Sequence, residues 1–140
     1  MVNLDRELVD RVRKLKLEFR EVPQPELLIR IPNRNPGVDY WVECVTGEFT
    51  SLCPLNMGQP DYATICIRYR PGDWCVELKS LKFFLVSFRT VAVFHEEVPA
   101  TILKALSELL EPEELEVIGF FTTRGGIKTT VRATYYKKGV

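Results

Sequence analysis

Histidine is almost absent from this sequence of 140 residues, which contains a single one, His95. A metal site built from several histidines is therefore excluded, and no spacing of Cys and His typical of structural zinc is present. The four cysteines, Cys44, Cys53, Cys66 and Cys75, form no C-x-x-C pair and no dense framework. This cysteine usage is typical of a reducing compartment, and we expect no bound metal.

The sequence also lacks an excess of either charge, since 19 Lys and Arg residues balance 19 Asp and Glu residues. A broad basic surface for nucleic acid is therefore not expected, and neither is acid-driven disorder. No apolar run is long enough to span a membrane, and the charged N-terminus does not resemble a signal peptide. We expect a cytoplasmic protein whose partner is a small molecule or another protein, not a nucleic acid or a membrane.

Hydrophobic residues make up 46% of the chain, which is ample for the core of one domain of this length. We therefore expect a single domain over residues 1–140, with residues 1–25 as an N-terminal extension. Apolar residues at helical spacing predict an amphipathic helix over residues 4–19, capped by Asn3 or Asp5. Residues 15–22 alternate equally well as a strand, so the end of this helix stays open.

Strand patterns dominate the next part of the chain. Short apolar or alternating runs predict strands at 27–31, 39–45 and 62–70, the last rich in β-branched and aromatic residues. Residues 71–73 form a turn signal, after which residues 74–77 can return as a hairpin partner of strand 62–70.

The apolar period then changes to that of a helix. It predicts one helix over residues 79–91 and a second whose apolar stripe runs from Val98 to Leu110, ending near Pro112. Strands at 114–123 and 127–136 follow, joined by a tight turn whose glycines hold Arg124 outward. Strands, two helices and further antiparallel hairpins together predict an α+β fold.

The segment from Phe49 to Asp61 holds a cysteine and an acid between two strand-like runs. Proline and glycine punctuate it, so we expect Cys53 and Asp61 on a constrained surface loop rather than inside a helix or strand. From composition alone a structural role stays open, with Cys53 as a small buried hydrophobe and Asp61 as a turn former.

A catalytic role would use both residues. A cysteine nucleophile acts as its thiolate and needs a nearby base or positive charge, which His95, Lys79 or Lys82 could supply. An aspartate acts as a general acid only where burial or a second anion favours its protonated form, and Asp61 is a candidate for this. Taken alone, the two lysines would form a solvated helix face.

The run Glu77-Leu-Lys-Ser-Leu-Lys-Phe-Phe84 resembles the characteristic stretch of the NADPH-dependent 7-cyano-7-deazaguanine reductases. This family converts a nitrile to an aminomethyl group in queuosine biosynthesis. Further blocks look like the same family, in the same order, across about residues 39 to 130: Phe49–Pro54, Gly58–Asp61, Ser87–Arg89, Phe94–Glu96 and Arg124–Gly126.

The resemblance implies the tunnelling fold, in which an antiparallel sheet carries two antiparallel helices on one face and subunits join edge to edge into a barrel. Open sheet edges in a short domain make such an assembly physically sensible. Short, single-module members of the family form two stacked pentamers with active sites at subunit interfaces. The resemblance therefore implies a homodecamer in which Glu96 can serve Cys53 of the next chain.

The resemblance also implies roles for residues. Cys53 would add to the nitrile carbon of 7-cyano-7-deazaguanine to give a thioimide, Asp61 would protonate its nitrogen, and His95 would assist proton transfer. The base would be bound by Val76, Glu77, Leu78, His95 and Glu96. Two NADPH would be used in turn, their phosphates held by Lys79, Lys82 and Arg124. No GxGxxG motif is present, so a Rossmann-type nicotinamide site is not expected.

The chain departs from the family pattern Cys-Pro-x-x-Gly-Gln-Pro-Asp by one additional residue between Cys53 and Asp61. A bulged turn at Asn56 can absorb it, since Asn tolerates the left-handed conformation.

Three rival functions stay open. The first is an archaeosine-type amidinotransferase, which adds ammonia to the same nitrile in tRNA, although the intact stretch from Glu77 to Lys82 and the Arg124 turn favour reduction. The second is a pterin or GTP cyclohydrolase, whose Cys and His zinc set one histidine cannot readily supply. The third is a non-catalytic oligomer that binds the deazapurine.

Overall fold

A computed structural model of the chain describes residues 5–56 and 58–138. Its helices are α1 (Arg6–Arg13), α2 (Leu78–Val86) and α3 (Glu97–Leu110). Its strands are β1 (Arg30–Pro32), β2 (Val42–Leu52), β3 (Pro60–Arg70), β4 (Trp74–Val76), β5 (Glu114–Phe121) and β6 (Thr130–Tyr136). Short 3-10 turns lie at Pro25–Leu27 and Ser87–Thr90. None of the helices in these two stretches is long and apolar enough to cross a membrane.

The main sheet has four antiparallel strands in the order β2-β3-β5-β6. Because side chains alternate along a strand, the odd-numbered residues of β3 all point to one face, where Ile65, Ile67 and Tyr69 are buried. The predicted α+β class and the antiparallel sheet are thus confirmed.

Helices α2 and α3 both pack on this face of the sheet, as their apolar periodicity predicts. Their buried side chains join those of the sheet in one core cluster: Leu81, Phe84 and Leu85 from α2, and Val98, Ile102, Leu106 and Leu110 from α3. Each fully buried Leu or Phe contributes about 1.5–3 kcal/mol relative to its exposed state. The sheet and the two helices therefore form one packed support, and this support fixes the position of the β2–β3 hairpin up to its end at Leu52 and Pro60.

Strand β4 does not return along β3, so the predicted hairpin with residues 62–70 is wrong. It pairs instead with β1, Arg30 opposite Val76 and Pro32 opposite Trp74, in a separate two-stranded sheet. Both edges of β3 are already occupied by β2 and β5, which leaves no free edge for β4.

The N-terminal helix is shorter than the predicted range of residues 4–19, because α1 ends at Arg13. Asp5 is the N-cap, its Oδ1 accepting a hydrogen bond from Glu7 N at 2.9 Å, whereas Asn3 lies outside the described residues. Beyond the helix, Leu15 and Leu17 are half-buried while their neighbours are exposed. The structure assigns residues 15–20 to neither a helix nor a strand, so neither alternative for this segment holds.

Candidate active site

Asp61 lies inside strand β3 and is buried, with 3% of its surface exposed. The expectation of a surface loop from Phe49 to Asp61 is therefore wrong for most of that segment. The β2–β3 ladder continues through Leu52 opposite Pro60, and Cys53 N donates to Gln59 O at 3.1 Å. Pro60 is tolerated here because it is the first residue of strand β3.

The one-residue-longer connection is accommodated at the tip of this hairpin. Since Cys53 still pairs with Gln59, only residues 54–58 lie between paired positions. Gln59 N donates to Asn56 O at 2.8 Å, which closes a turn. The predicted left-handed Asn56 is wrong, because Glu111 alone among the described non-glycine residues has a positive φ. Ser51 lies opposite Asp61 in the ladder next to this turn.

The chain after α2 is brought to the end of β2 by two backbone hydrogen bonds. Leu52 N donates to Val91 O at 2.9 Å, and Val93 N donates to Leu52 O at 3.1 Å. Val91 and Val93 are buried while Ala92 is exposed, as expected of an extended segment on a core. This pairing carries His95 and the residues beside it to the vicinity of Cys53.

A cleft of about 250 Å³ lies at this end of the hairpin. Its walls are formed by Cys53, Pro54, Asp61, Phe94, His95, Glu96 and Arg124. The structure thus brings together all three predicted catalytic residues, two of the five predicted base-binding residues (His95, which is also one of the catalytic three, and Glu96) and one predicted cofactor-binding residue. Glu96 lines the cleft of its own Cys53, although the resemblance implied that it can serve the next chain.

The carboxylate of Asp61 is the centre of this cleft. His95 Nε2 lies 3.3 Å from Oδ2, and Arg124 Nη2 lies 2.5 Å from Oδ1. Arg124 Nη2 also donates to Pro60 O at 2.6 Å, so the guanidinium group ties the Asp61 carboxylate to the start of strand β3.

Arg124 reaches the cleft because of the predicted tight turn after β5. Arg124 N and Ile127 O are 2.9 Å apart, Ile127 N and Arg124 O are 2.8 Å apart, and the two residues between them are Gly125 and Gly126. These glycines have φ values of +54° and +78°, a left-handed conformation in which a side chain would be strained.

His95 is held by a residue that sequence reasoning missed. Its ring stacks on Phe121 with centroids 4.0 Å apart and planes 8° apart. Gly119 leaves room for this ring, since a Cβ there would lie 2.8 Å from Phe121 Cε2. The alternation of strand β5 places Phe121 on the helix-facing side, but the stack with His95 joins residues far apart in sequence.

The predicted residues around the start of α2 lie outside this cleft. Val76 is buried in the core, and Glu77 is the N-cap of α2, accepting hydrogen bonds from Lys79 N at 2.9 Å and Ser80 N at 2.7 Å. Lys79 Nζ donates to Val12 O at the end of α1, at 3.1 Å.

Leu78 and Lys82 line a different cavity, of about 150 Å³, beside the irregularity in β2 between Thr46 and Phe49. Leu78 is 63% exposed, which is unusual for a large apolar side chain at a helix start. Within one chain, therefore, the structure does not bring the α2 residues to Cys53.

Cys44 and Cys66 are poor candidates for the nucleophile, because the reactive form of a cysteine is its thiolate. Burial raises the pKa of the Cys44 and Cys66 thiols, which favours their neutral form. No group of three or more His, Cys, Asp or Glu side chains among residues 5–56 and 58–138 is arranged to hold a metal ion.

The chain is similar to known proteins in family, sequence and structure. The family model described as QueF-like protein matches residues 60–139. NADPH-dependent 7-cyano-7-deazaguanine reductase of Thermomicrobium roseum is 54% identical over 108 residues, covering 77% of this chain and 84% of the relative. The protein of that name from Bacteroides thetaiotaomicron is 45% identical over 135 residues, covering 95% of this chain and 89% of the relative.

A solved structure, that of the archaeosine synthase QueF-Like in the apo form, superposes with a TM-score of 0.62 at 21% identity. The match covers 67% of this chain and 91% of the other, and at this identity it shows a shared fold alone. The family match spans more than half of the chain, and the curated relatives are close in sequence over most of it. The chain therefore belongs to the QueF-like protein family.

Proposed function

We propose that this chain is an NADPH-dependent 7-cyano-7-deazaguanine reductase, which reduces the nitrile to 7-aminomethyl-7-deazaguanine in queuosine biosynthesis. Relatives at 45–54% identity carry that name. The observation that carries the proposal is the cleft itself, where a thiol, a buried carboxyl group and an imidazole meet. A cytoplasmic location and the absence of a nucleic-acid partner stay predictions.

Cys53 is the nucleophile in this proposal. Its sulfur forms a bond to the nitrile carbon while one C–N π bond becomes an N–H bond, giving a thioimide. The proton comes through Asp61, whose carboxyl group lines the same cleft and is held by Arg124. His95 Nε2, 3.3 Å from Oδ2, can protonate this carboxylate before it gives the proton to the nitrile nitrogen.

Two hydride transfers complete the reduction. When bound, NADPH supplies one hydride to the thioimide carbon and a second to the imine that follows. Between them the C–S bond breaks, the nitrogen lone pair forms the C=N bond, and Cys53 leaves as a thiolate. Two protons are taken up in all, one as the sulfur adds to the nitrile and one with the first hydride, so the nitrile ends as a primary amine and two NADPH are oxidised.

Lys79, Lys82 and Arg124 would hold the cofactor phosphates, because their cationic side chains suit such anions. Lys79 and Lys82 are three residues apart in α2 and so share one helix face, and the exposed Leu78 beside Lys82 offers an apolar contact. Arg124, in contrast, lies in the cleft with Cys53.

The separation of these cations supports an assembly in which neighbouring chains complete one another's sites. Strands β2 and β6 are the outer strands of the main sheet, and within the described part of the chain their outer edges are unpaired except where Leu52 bridges to Ala92. Such edges invite pairing with another chain. We therefore include in the proposal a homo-oligomeric barrel of two stacked pentamers, with the α2 lysines of one chain facing the cleft of the next.

The identity of the product tests the function. Protein is incubated with 7-cyano-7-deazaguanine, NADPH and ammonia, and the base is analysed by mass spectrometry. A reductase yields the aminomethyl base, which is four hydrogen atoms heavier than the nitrile. The amidine, formed by addition of ammonia, would contradict reduction and support the transferase that shares this fold, whereas unchanged nitrile would leave only a binding protein.

A further inference from the structure

The side chain of Arg124 points inward, to the buried acid of the cleft. Its Nη2 lies 2.5 Å from Asp61 Oδ1 and donates a hydrogen bond to Pro60 O at 2.6 Å. The Asp61 side chain is only 4% exposed, and a buried carboxylate needs a partner of opposite charge. No other Lys or Arg in the described part of the chain forms an ion pair with this carboxylate.

The backbone around Arg124 fixes where its side chain starts. Thr122 N donates to Tyr62 O at 3.0 Å, so the chain just after β5 is bonded to β3 one residue beyond Asp61. The turn from Arg124 to Ile127 then closes on itself through two backbone hydrogen bonds. The guanidinium group is thus held beside Asp61 by two fixed segments, as expected of a residue that positions another side chain.

The two oxygens of the Asp61 carboxylate have different neighbours. Oδ1 faces Arg124, and Oδ2 faces His95, whose Nε2 lies 3.3 Å away. A guanidinium group does not release its proton in proteins, whereas an imidazole can exchange protons near neutral pH. Oδ1 is therefore the oxygen that is held, and Oδ2 is the oxygen that can exchange a proton with His95.

We propose that Arg124 is a positioning residue for Asp61, and that its ion pair with Oδ1 directs Oδ2 to carry the proton to the nitrile nitrogen. The proton passes from His95 Nε2 to Oδ2 and then to the nitrogen, while the sulfur of Cys53 forms its bond to the nitrile carbon. No bond is formed or broken at Arg124. The role rests on the proposed reductase function.

This role is separable from the phosphate role of Arg124, because the two act at different steps. The contacts with Asp61 and Pro60 use Nη2, so the other N–H donors of the guanidinium group can still meet a phosphate. Addition of Cys53 to the nitrile precedes any hydride transfer. A measurement without NADPH therefore reports the positioning role alone.

The kinetic test compares Arg124→Gln and Arg124→Lys with Arg68→Gln as the control. Arg68 is also ion-paired, with Nε 3.8 Å from Glu116 Oε1, but it lies at the other end of β3 from Asp61 and on its opposite face. Each variant is mixed with 7-cyano-7-deazaguanine without NADPH, and the Cys53 adduct is followed over time by intact mass. Loss of a charge-assisted contact predicts adduct formation roughly 10-fold to 100-fold slower in Arg124→Gln.

Arg124→Lys should recover most of the wild-type rate. One nitrogen makes both contacts in the structure, and the ammonium group of lysine can supply one such nitrogen with its charge. Arg68→Gln should stay within about twofold of the wild-type rate. Adduct formation by Arg124→Gln at the wild-type rate would overturn the proposal and leave Arg124 to the cofactor alone. Equal losses in Arg124→Gln and Arg124→Lys, or in Arg124→Gln and the control, would also overturn it.

A thermal double-mutant cycle tests the ion pair without activity, and so separates a failure of the inference from a failure of the proposed function. Arg124→Gln should lower the Tm by about 2–4 °C more when Asp61 is present than in the Asp61→Asn background, because it leaves a buried carboxylate without its cation. Arg68→Gln should lower the Tm equally in both backgrounds. Equal effects of Arg124→Gln in both backgrounds would show that the two residues are not coupled, and the positioning role is then wrong whether or not the protein reduces nitriles.

Discussion

At the scale of the residue, the side chains that meet at Asp61 come from separate parts of the chain. Cys53 ends the β2 side of a hairpin, Asp61 begins the β3 side, and His95 and Arg124 arrive from distant loops. Both His95 and Arg124 lie within 3.3 Å of the carboxylate. This convergence favours chemistry over a purely structural role for Cys53 and Asp61.

The assignment of Cys53 as the nucleophile predicts a covalent product. Without NADPH, the nitrile should form one adduct per chain on Cys53, and intact mass spectrometry will detect it. Cys53→Ala should form none, whereas Cys66→Ala should form it normally, because burial raises the pKa of the Cys66 thiol and keeps it protonated. An adduct on Cys53→Ala would show that another residue is the nucleophile.

The assignment of Asp61 as the proton donor predicts a rate effect. Asp61→Asn retains the shape of the side chain but cannot donate a carboxyl proton, so adduct formation should fall about 10²-fold to 10⁴-fold. Stopped-flow absorbance after mixing enzyme with nitrile measures this rate, and a thermal melt checks that the variant is folded. A rate close to that of the wild type would show that Asp61 does not donate the proton.

At the scale of the element, strand β5 positions His95 through the ring of Phe121. A Cβ at Gly119 would lie 2.8 Å from this ring and 3.2 Å from Pro99 Cγ, so Gly119→Ala must displace one of them. We expect a loss of about 1–3 kcal/mol in unfolding free energy together with reduced turnover. Denaturant unfolding and steady-state kinetics measure the two effects.

Gly47→Ala is the matched control for this substitution. Its nearest neighbour, Thr64 Oγ1, lies 3.9 Å from the added Cβ, which is ordinary contact distance. The control should leave turnover nearly unchanged. Full activity and stability in Gly119→Ala would show that the stack of His95 on Phe121 does not depend on the glycine.

Helix α2 carries the lysines proposed to bind the cofactor. Lys79→Ala combined with Lys82→Ala should raise the KM for NADPH by at least about 10-fold, since each lost charge-assisted contact is worth about 1.5–3 kcal/mol. Nitrile binding should change little. Lys104→Ala, which changes an exposed lysine of α3, serves as the control. An unchanged KM for NADPH in the double variant would show that Lys79 and Lys82 only form a solvated helix face.

The sequence predicted some elements better than others for physical reasons. Helices α2 and α3 were predicted because each has a continuous apolar face, which a local pattern reveals. The partner of β4 was not, since pairing depends on which strand edges remain free in the folded sheet. Similarly, proline and glycine suggested a surface loop around Asp61, whereas the ladder continues to Leu52 opposite Pro60, so that Asp61 lies within a strand and is buried.

The site residues also divide into those that the sequence could indicate and those that only the folded sheet brings together. Resemblance to the family indicated Cys53, Asp61, His95 and Arg124, and the structure places all four in one cleft. It could not indicate that Phe121 stacks on His95. This contact joins residues far apart in the sequence and depends on the register of strand β5, which residue types alone do not reveal.

At the scale of the whole molecule, one chain holds the thiol and the cofactor lysines on different surfaces. The proposed assembly predicts that two inactive variants can restore each other. Cys53→Ala should be mixed with the Lys79→Ala and Lys82→Ala double variant after dissociation, and the reassembled sample assayed for NADPH oxidation. Sites that pair the intact cleft of one chain with the intact lysines of its neighbour should recover a fraction of wild-type activity.

Native mass spectrometry of the same sample should show a decamer containing both variants. Mixed decamers without recovered activity would place the lysines and Cys53 in the same chain's site. A monomer with full activity would show that catalysis does not need the proposed assembly.

The central claim is that this cleft reduces a nitrile at the expense of NADPH. The most direct measurement follows NADPH absorbance and product together, with 7-cyano-7-deazaguanine as the limiting reagent. We predict two NADPH oxidised for each aminomethyl base formed, and no oxidation without the nitrile or with Cys53→Ala. Consumption of the nitrile without loss of NADPH would contradict the claim.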